Sequence, residues 1–475
     1  MSPRGTWRLG PTDEMLRDSA RALGSARTVQ LLWRFPEPVD AAALDAEWRR
    51  LDRGRLSRRI VPAAVPGARD RWAPAHNEEP AHHDDVPLTD ATARDWLDDQ
   101  VRAPLPVDSG ALWRLAAAPY RTGSLVSLCV PHFRCDGMGL FRALAERTDP
   151  PAPRRRTPGP LAEDLVDAAA GVAATLTRTP PWAAGLLAHP ERLRHLAEAL
   201  RPAGPVPAAS APRYFSWDVF EVDAAAWEER ARAHGGTVNS LFVEIAANLV
   251  RAAVPRDAEA DVAIGVPVDR RTSPGDGRAN ALVVVPVTVA GGPPRHDGLH
   301  PTRRATRTAL ADPRLQAATL VPERLWHLLP GGLANALKTP GAQQTDAVAS
   351  NFGAAPEAVT LFAGGRADAV ALRTMNVPGV VPERARLRAS LCLLRTGDRF
   401  HVTVTGMPDH FGDGETLHRL AREEFAAWDL PARGWWEPLP QVDRVPPPRS
   451  TAVRGLVVGA ADRDEPRPVT GGSER

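Results

Sequence analysis

Short apolar strands alternate with helices of period 3.6 along most of this chain, and two proline-rich breaks cut the alternation in half. From Thr148 to Pro160 the sequence runs Asp-Pro-Pro-Ala-Pro-Arg-Arg-Arg-Thr-Pro, a flexible crossover that supports neither a helix nor a central strand. Arg201 to Pro212 is again rich in Pro and Ala. A chain of 475 residues divided this way gives two halves, each long enough to bury its own core. The expected fold is α/β, with a first lobe over 1–150, a crossover and helical linker over 151–213, a second lobe over 214–432 and a disordered tail over 433–475.

Within the first lobe the periodicity predicts a helix from Asp13 to Leu23, a strand Val29 to Phe35, a helix capped by Asp40 over Ala41 to Leu51, and a helix Asp90 to Val101. A strand Ser124 to Val130 and a helix Met138 to Arg147 close it. In the linker, helical stretches Leu161 to Leu176 and Pro190 to Leu200 are expected to be separated at Pro180-Pro181. The second lobe reads as strand Tyr214 to Val222, helix Ala224 to Ala233, and a long apolar helix Val238 to Ala253 behind Thr237. Strands Asp261 to Val268, Ala281 to Val289, Ala347 to Asn351, Ala369 to Asn376, Leu387 to Arg395 and Arg399 to Met407 follow, then a helix Gly414 to Trp428.

Charge and composition exclude several function classes. The 59 basic and 57 acidic residues leave a net charge of +2, with no long basic stripe, so nucleic acid is not the expected partner. Cys129, Cys135 and Cys392 have no paired spacing, which fits a reducing compartment, and the cytoplasm is the expected location. No apolar run reaches the ~18 residues that span a bilayer, and the start MSPRGTWRLGPTDEM lacks the apolar core of a signal peptide. Walker loops, dinucleotide glycine fingerprints and serine nucleophile elbows are absent from the sequence, so neither ATP nor NAD is implied.

The chemistry is concentrated in His132-Phe133-Arg134-Cys135-Asp136-Gly137. With 13 His in the chain, ordinary Asp and Gly usage gives ~0.06 expected occurrences of H-x-x-x-D-G. The imidazole sits between a buried strand and a helix, where functional side chains are commonly displayed. A neutral imidazole is suited to take the proton that a hydroxyl or amine loses as it attacks an acyl thioester. Asp136 is placed to cap the helix that follows, and Gly137 permits a positive φ or a close backbone approach.

These stretches together resemble the condensation-domain superfamily of acyltransferases, which includes the soluble wax ester synthase and diacylglycerol acyltransferase-like group. Pro104-Leu105-Pro106-Val107-Asp108 with Leu112-Trp113-Arg114 is similar to the segment before the active-site strand, and His132, Asp136 and Gly137 match the second His, the Asp and the Gly of HHxxxDG. Gly236-Thr237-Val238-Asn239-Ser240 resembles G-x-T-x-N-D; Gly265-Val266-Pro267-Val268-Asp269-Arg270-Arg271 followed by Asn280 resembles the P-V-D-x-R strand and its Asn. Ser350-Asn351-Phe352-Gly353 is similar to the S-N-x-G element of the strand that crosses between lobes.

The resemblance covers residues 10 to 430 and implies two chloramphenicol acetyltransferase-like α/β sandwich lobes in a V with a tunnel between them. It implies His132 as the catalytic base, Asp136, Gly137 and Arg271 as supports of its loop, and Asn239, Ser350 and Asn351 along the substrate tunnel. No metal, no covalent acyl-enzyme and no tightly bound cofactor are implied. The donor would be acyl-CoA or a phosphopantetheinyl thioester on an acyl carrier protein, the acceptor a small hydroxyl or amine compound, the product an ester or amide of secondary metabolism or lipid modification, and the protein a monomer. Three departures stand out: Pro131 replaces the first His, Ser240 replaces the Asp of N-D, and no D-F-G-W-G element is present. The first keeps a second reading open, a catalytically silent module that binds a carrier protein or recruits a partner enzyme; the other two argue against a wax or triacylglycerol synthase and against the plant alcohol acyltransferase branch.

Other clusters point to weaker chemistry. His82-His83-Asp84-Asp85 has metal-ligand residue types, but adjacent side chains diverge. Cys135 is a candidate nucleophile beside His132 or a small apolar group packed inward with Cys129. His410-Phe411-Gly412-Asp413-Gly414 echoes the motif one residue short and reads as a cap of the last helix, while Arg154-Arg155-Arg156 is a solvated run that could steer an acidic carrier protein.

Overall fold

The computed structural model describes residues 7–23, 26–146, 160–188, 193–194, 196–197, 200, 214–312 without 256, 258 and 274, 319–330, 333–334, 337, 345–374 and 386–437; the crossover residues 148–159 lie outside them. In chain order the strands are β1 (Thr28–Phe35), β2 (Arg58–Val61), β3 (Arg71–Pro74), β4 (His82–His83), β5 (Arg114–Tyr120), β6 (Gly123–Pro131), β7 (Ser216–Asp223) and β8 (Val262–Asp269). They continue with β9 (Leu282–Val289), β10 (Ala347–Ala354), β11 (Leu361–Phe362), β12 (Gly365–Arg366), β13 (Ala369–Arg373), β14 (Ala389–Thr396), β15 (Arg399–Gly406) and β16 (Ala432–Gly434).

Two sheets result. One has five strands in the order β13-β1-β6-β5-β4, the other seven in the order β16-β7-β15-β14-β10-β8-β9. Both faces of β1 are covered, which is why it reads as a nearly continuous apolar run. The helices before residue 150 are α1 (Pro11–Leu23), α2 (Ala41–Asp52), α3 (Ala93–Arg102) and α4 (Gly137–Ala145); Val29, Leu31, Trp33 and Phe35 pack with α2 and α4, while Leu32 meets Leu97, Trp217 and Trp435 on the other side. The second core is built around helix Val238–Ala253, whose buried residues Leu241 to Val250 lie against the seven-stranded sheet and helices Ala224–Ala233 and Gly414–Ala427.

Local chemistry explains where the helices begin. Asp40, Asp223, Thr237 and Asp413 occupy N-cap positions and accept hydrogen bonds from Ala43, Ala226, Ser240 and Thr416 backbone N–H groups, satisfying donors that have no partner inside the helix.

Three expectations change. Pro160–Ala188 is one helix that runs through Pro180 and Pro181: proline φ is compatible with a helix, and the exposed prolines cost it two backbone hydrogen bonds without ending it. The chain after Arg433 is ordered through Glu437, because β16 pairs with β7 and Trp435 is 1% exposed. The strand that joins the first sheet from the later chain is β13, antiparallel to β1, whereas Ser350–Gly353 belongs to β10 inside the seven-stranded sheet.

Candidate active site

His132 follows directly on β6, whose last residue Pro131 pairs with Thr28 of β1. The His132 N–H donates to the Arg27 carbonyl (2.6 Å), extending that ladder by one step. The chain then turns, with Arg134 N–H on the Pro131 carbonyl (2.8 Å) and Cys135 N–H on the His132 carbonyl (3.2 Å), before α4 begins.

Asp136 caps α4 through Gly139 N–H (2.7 Å) and accepts from Ala281 N–H (2.9 Å). Its two oxygens also meet Arg271, Nη1 on Oδ1 and Nη2 on Oδ2, each at 3.0 Å, with both side chains almost fully enclosed. This is a bidentate pair, in which a planar guanidinium fixes both position and angle of the carboxylate. Arg271 is held in turn by Asp269 (3.1 Å) and by the carbonyls of Arg278 (3.0 Å) and Ala279 (2.9 Å). Asp136 thus has its lone pairs engaged by α4, by the chain entering β9 and by Arg271, and makes no hydrogen bond to the imidazole.

The imidazole is oriented instead by Asn280. Asn280 Nδ2 faces three acceptors, Asp13 Oδ1 (2.9 Å) and the carbonyls of His132 (2.9 Å) and Phe133 (3.1 Å). Those acceptors assign the amide: its nitrogen points at them, and its Oδ1 points at His132 Nδ1 (3.1 Å). Nδ1 must therefore carry the proton, and in the neutral ring Nε2 is left with its lone pair; among the described residues Nε2 has no hydrogen-bond partner. Burial holds the imidazole below its ordinary titration range, an effect that the Asp136 charge opposes and the nearby Arg27 reinforces. The same burial pushes the Asp13 carboxyl up to about 6, against hydrogen bonds from Gly10 and Asn280.

Two glycines shape this loop by close approach. A Cβ on Gly137 would stand 2.4 Å from Cε1 of Phe352, and one on Gly139 would stand 3.0 Å from both Arg271 Nη2 and Cys135 Sγ. Gly137 is thus needed for packing and has no positive φ. Through Phe352, which also meets Phe141 at 5.6 Å between ring centroids, the end of β10 rests on the start of α4.

The remaining sequence candidates lie around this contact or away from it. Asn351 Nδ2 donates to Asn239 Oδ1 (3.4 Å), so the second-lobe helix start and β10 meet through these two amides. Ser350 is buried in β10 opposite Cys392 of β14, and Ser240 completes a capping box with Thr237. His82 and His83 diverge to Glu79 (2.7 Å) and Asp45 (3.2 Å) respectively, and no group of three metal-ligating residues occurs among the described residues. Cys135 is buried, and burial raises its thiol far above the range where a thiolate forms. Sequence reasoning placed Asn280 in a pattern without a task and left Asp13 and Arg27 outside the site; what links them to His132 is spatial.

By sequence the chain matches no family model and no curated protein. Its fold is that of condensation domains. The first condensation domain of the calcium-dependent antibiotic synthetase, in complex with a substrate analogue, superposes with a TM-score of 0.55 at 17% identity, covering 90% of this chain and 96% of that one. A mutant of the starter condensation domain of rhizomide synthetase RzmA, in complex with C8-CoA and Leu-SNAC, gives 0.52 at 14% identity over 89% and 94%. The condensation domain from Monacolin K polyketide synthase MokA gives 0.50 at 15% identity over 89% and 96%. No described helix is long and apolar enough to cross a membrane.

Proposed function

We propose that this chain, having the fold of condensation domains, is an acyltransferase in which His132 is the general base. The observation that carries the reading is the tautomer: Asn280 holds the proton on Nδ1 and leaves Nε2 as a proton acceptor without a hydrogen-bond partner among the described residues. A hydroxyl or amine acceptor gives its proton to Nε2 as its oxygen or nitrogen forms a bond to the thioester carbon. The tetrahedral intermediate collapses, the C–S bond breaks, and the departing thiolate takes the proton back, leaving an ester or amide and a free thiol. Asp136, Gly137 and Arg271 position the loop without touching the substrate.

The acyl donor is a thioester on CoA or on a phosphopantetheinyl carrier protein, consistent with the C8-CoA bound by the rhizomide domain. Asn239, Ser350 and Asn351 are proposed to border the substrate path between the lobes. The enzyme is proposed to act as a cytoplasmic monomer, in secondary metabolism or lipid modification.

One observation favours a second reading. Pro131 is buried and paired in β6 at the position of the first motif histidine, removing a side chain that condensation enzymes carry there. A silent module that only binds a carrier protein would tolerate that change. The two readings separate in a mass-spectrometric assay with acyl-CoA and acyl-carrier donors against pooled alcohols and amines. Acyl transfer by the wild type that drops by roughly 10² to 10⁴ in His132→Ala is expected, the usual worth of a positioned base. Full turnover in His132→Ala would remove the base assignment, and carrier binding without any turnover would favour the silent module.

A further inference from the structure

Arg27 stands directly across from His132. Thr28 pairs with Pro131 and Val29 with Val130, and the His132 N–H to Arg27 carbonyl bond carries the antiparallel register one step further. Directly opposed residues of such a pair project from the same face, with Cβ atoms ~5 Å apart. Arg27 is mostly buried, and its Nε is enclosed without a hydrogen-bond partner. Among the described residues its guanidinium makes no hydrogen bond and no ion pair.

Among the described residues the surroundings supply no anion. Arg134, two residues along the loop and 3% exposed, spends its guanidinium on the carbonyls of Arg58 (2.5 Å) and Val107 (3.3 Å). Arg58 donates to the carbonyls of Arg55 (2.7 Å) and Gly277 (3.2 Å) and lies over the Trp72 ring. Neither forms an ion pair among the described residues. The carboxylate of the His132 loop and the one bonded to Asn280 are already committed: Asp136 is clamped by Arg271, and Asp13 is held by Gly10 and Asn280. A mostly buried cation without a counter-charge is costly unless an anion arrives with a ligand.

We infer that Arg27 binds a carboxylate carried by the substrate, one cross-strand step from the nitrogen of His132 that takes the proton. A pantetheine arm keeps the donor's phosphates far from its thioester, so an anion at this position belongs to the acyl group or the acceptor. Assigning it to either rests on the acyl-transfer reading; the anion site itself does not.

The groups that set the His132 charge state are Arg27, Asp136 and the Asn280 amide, so an anion on Arg27 is readable at the imidazole. The test is ¹³C-histidine NMR of the full chain, with the His132 signal assigned by His132→Gln and titrated with acetate or inorganic phosphate. Acetate is expected to move the His132 midpoint up by about one pH unit in the wild type, less in Arg27→Lys and not at all in Arg27→Gln. Arg27→Lys keeps the charge and controls for misfolding. An acetate response undiminished in Arg27→Gln, no response in the wild type, or a response to phosphate alone would each overturn the assignment. If the site responds as expected but the acyl-transfer assay is blank, the activity reading fails and the anion site stands. With turnover in hand, Arg27→Gln should cut the preference for a carboxylate-bearing acceptor or acyl group over its amide by roughly 10- to 100-fold, the worth of one charge-assisted hydrogen bond. Running acceptor and acyl pairs separately tells which substrate carries the carboxylate.

Discussion

At the scale of single residues, the site separates a working group from its supports. Because burial holds His132 below its ordinary 6.5, the acid limb of kcat/KM should lie below that pH. The linked stability has the same sense: it is present above the unfolded value and is lost as pH falls through the folded one. Asp13, raised from 3.8 to about 6, has the opposite sense, with its contribution complete below 3.8 and lost as pH rises through 6. Asn280→Ala should lower kcat/KM roughly tenfold, about the worth of one hydrogen bond. It should also move the acid limb lower still, because the Asn280 bond supports the protonated ring. An unchanged or raised limb in a pH–rate profile would contradict that role. Asp136→Ala tests the other support: it leaves the enclosed Arg271 with Asp269 as its one remaining counter-charge among the described residues, removes the cap of α4, and should cost about 3 to 5 kcal/mol in urea unfolding.

At the scale of elements, what could be read from the sequence was what neighbours in sequence determine. Asp40, Thr237 and Asp413 announce helices because a cap and its backbone donor lie three residues apart. The His132–Asn280 and His132–Arg27 relations could not be read that way, since 148 and 105 positions separate the partners; a side-chain hydrogen bond between elements of different sheets joins the first pair, and strand pairing joins the second. Likewise Gly137 was legible as a special position, but not the reason for it, which arrives on β10 as the Phe352 ring. Gly137→Ala should therefore cost about 1 to 3 kcal/mol by overpacking. Phe352→Ala in the same chain should return part of that loss, because it removes the atoms the new methyl meets. A double-mutant cycle from urea melts reads the coupling, and strictly additive losses would show that the β10–α4 contact is not what constrains the glycine.

At the scale of the whole molecule, two sheets share structure that neither half of the chain supplies alone. β13 is contributed to the first sheet from beyond residue 360, and Leu32, Leu97, Tyr120 and Leu125 of the first lobe bury against Trp217, Val219 and Trp435 of the second. Polar bonds follow the same seam. Trp217 Nε1 donates to Asp98 (2.7 Å), Arg373 is fully enclosed beside Asp98 (2.8 Å) with its guanidinium over the Trp217 ring, and Arg34 pairs with Glu221 (2.7 Å). The proline-rich breaks of the sequence conceal this seam, because composition records where elements end and not which distant strand completes a sheet. A shared core of this kind ties the unfolding of one lobe to that of the other. Trp435→Ala, which empties a fully packed site at the seam, should cost about 3 to 5 kcal/mol. Calorimetry should show one transition for the wild type, and hydrogen exchange in Trp435→Ala should rise in β1 and β6 as well as in β7 and β15. If exchange rises only in β7 and β15, or if the wild type melts in two resolved steps, the lobes are independent and the site at His132 does not depend on the seam.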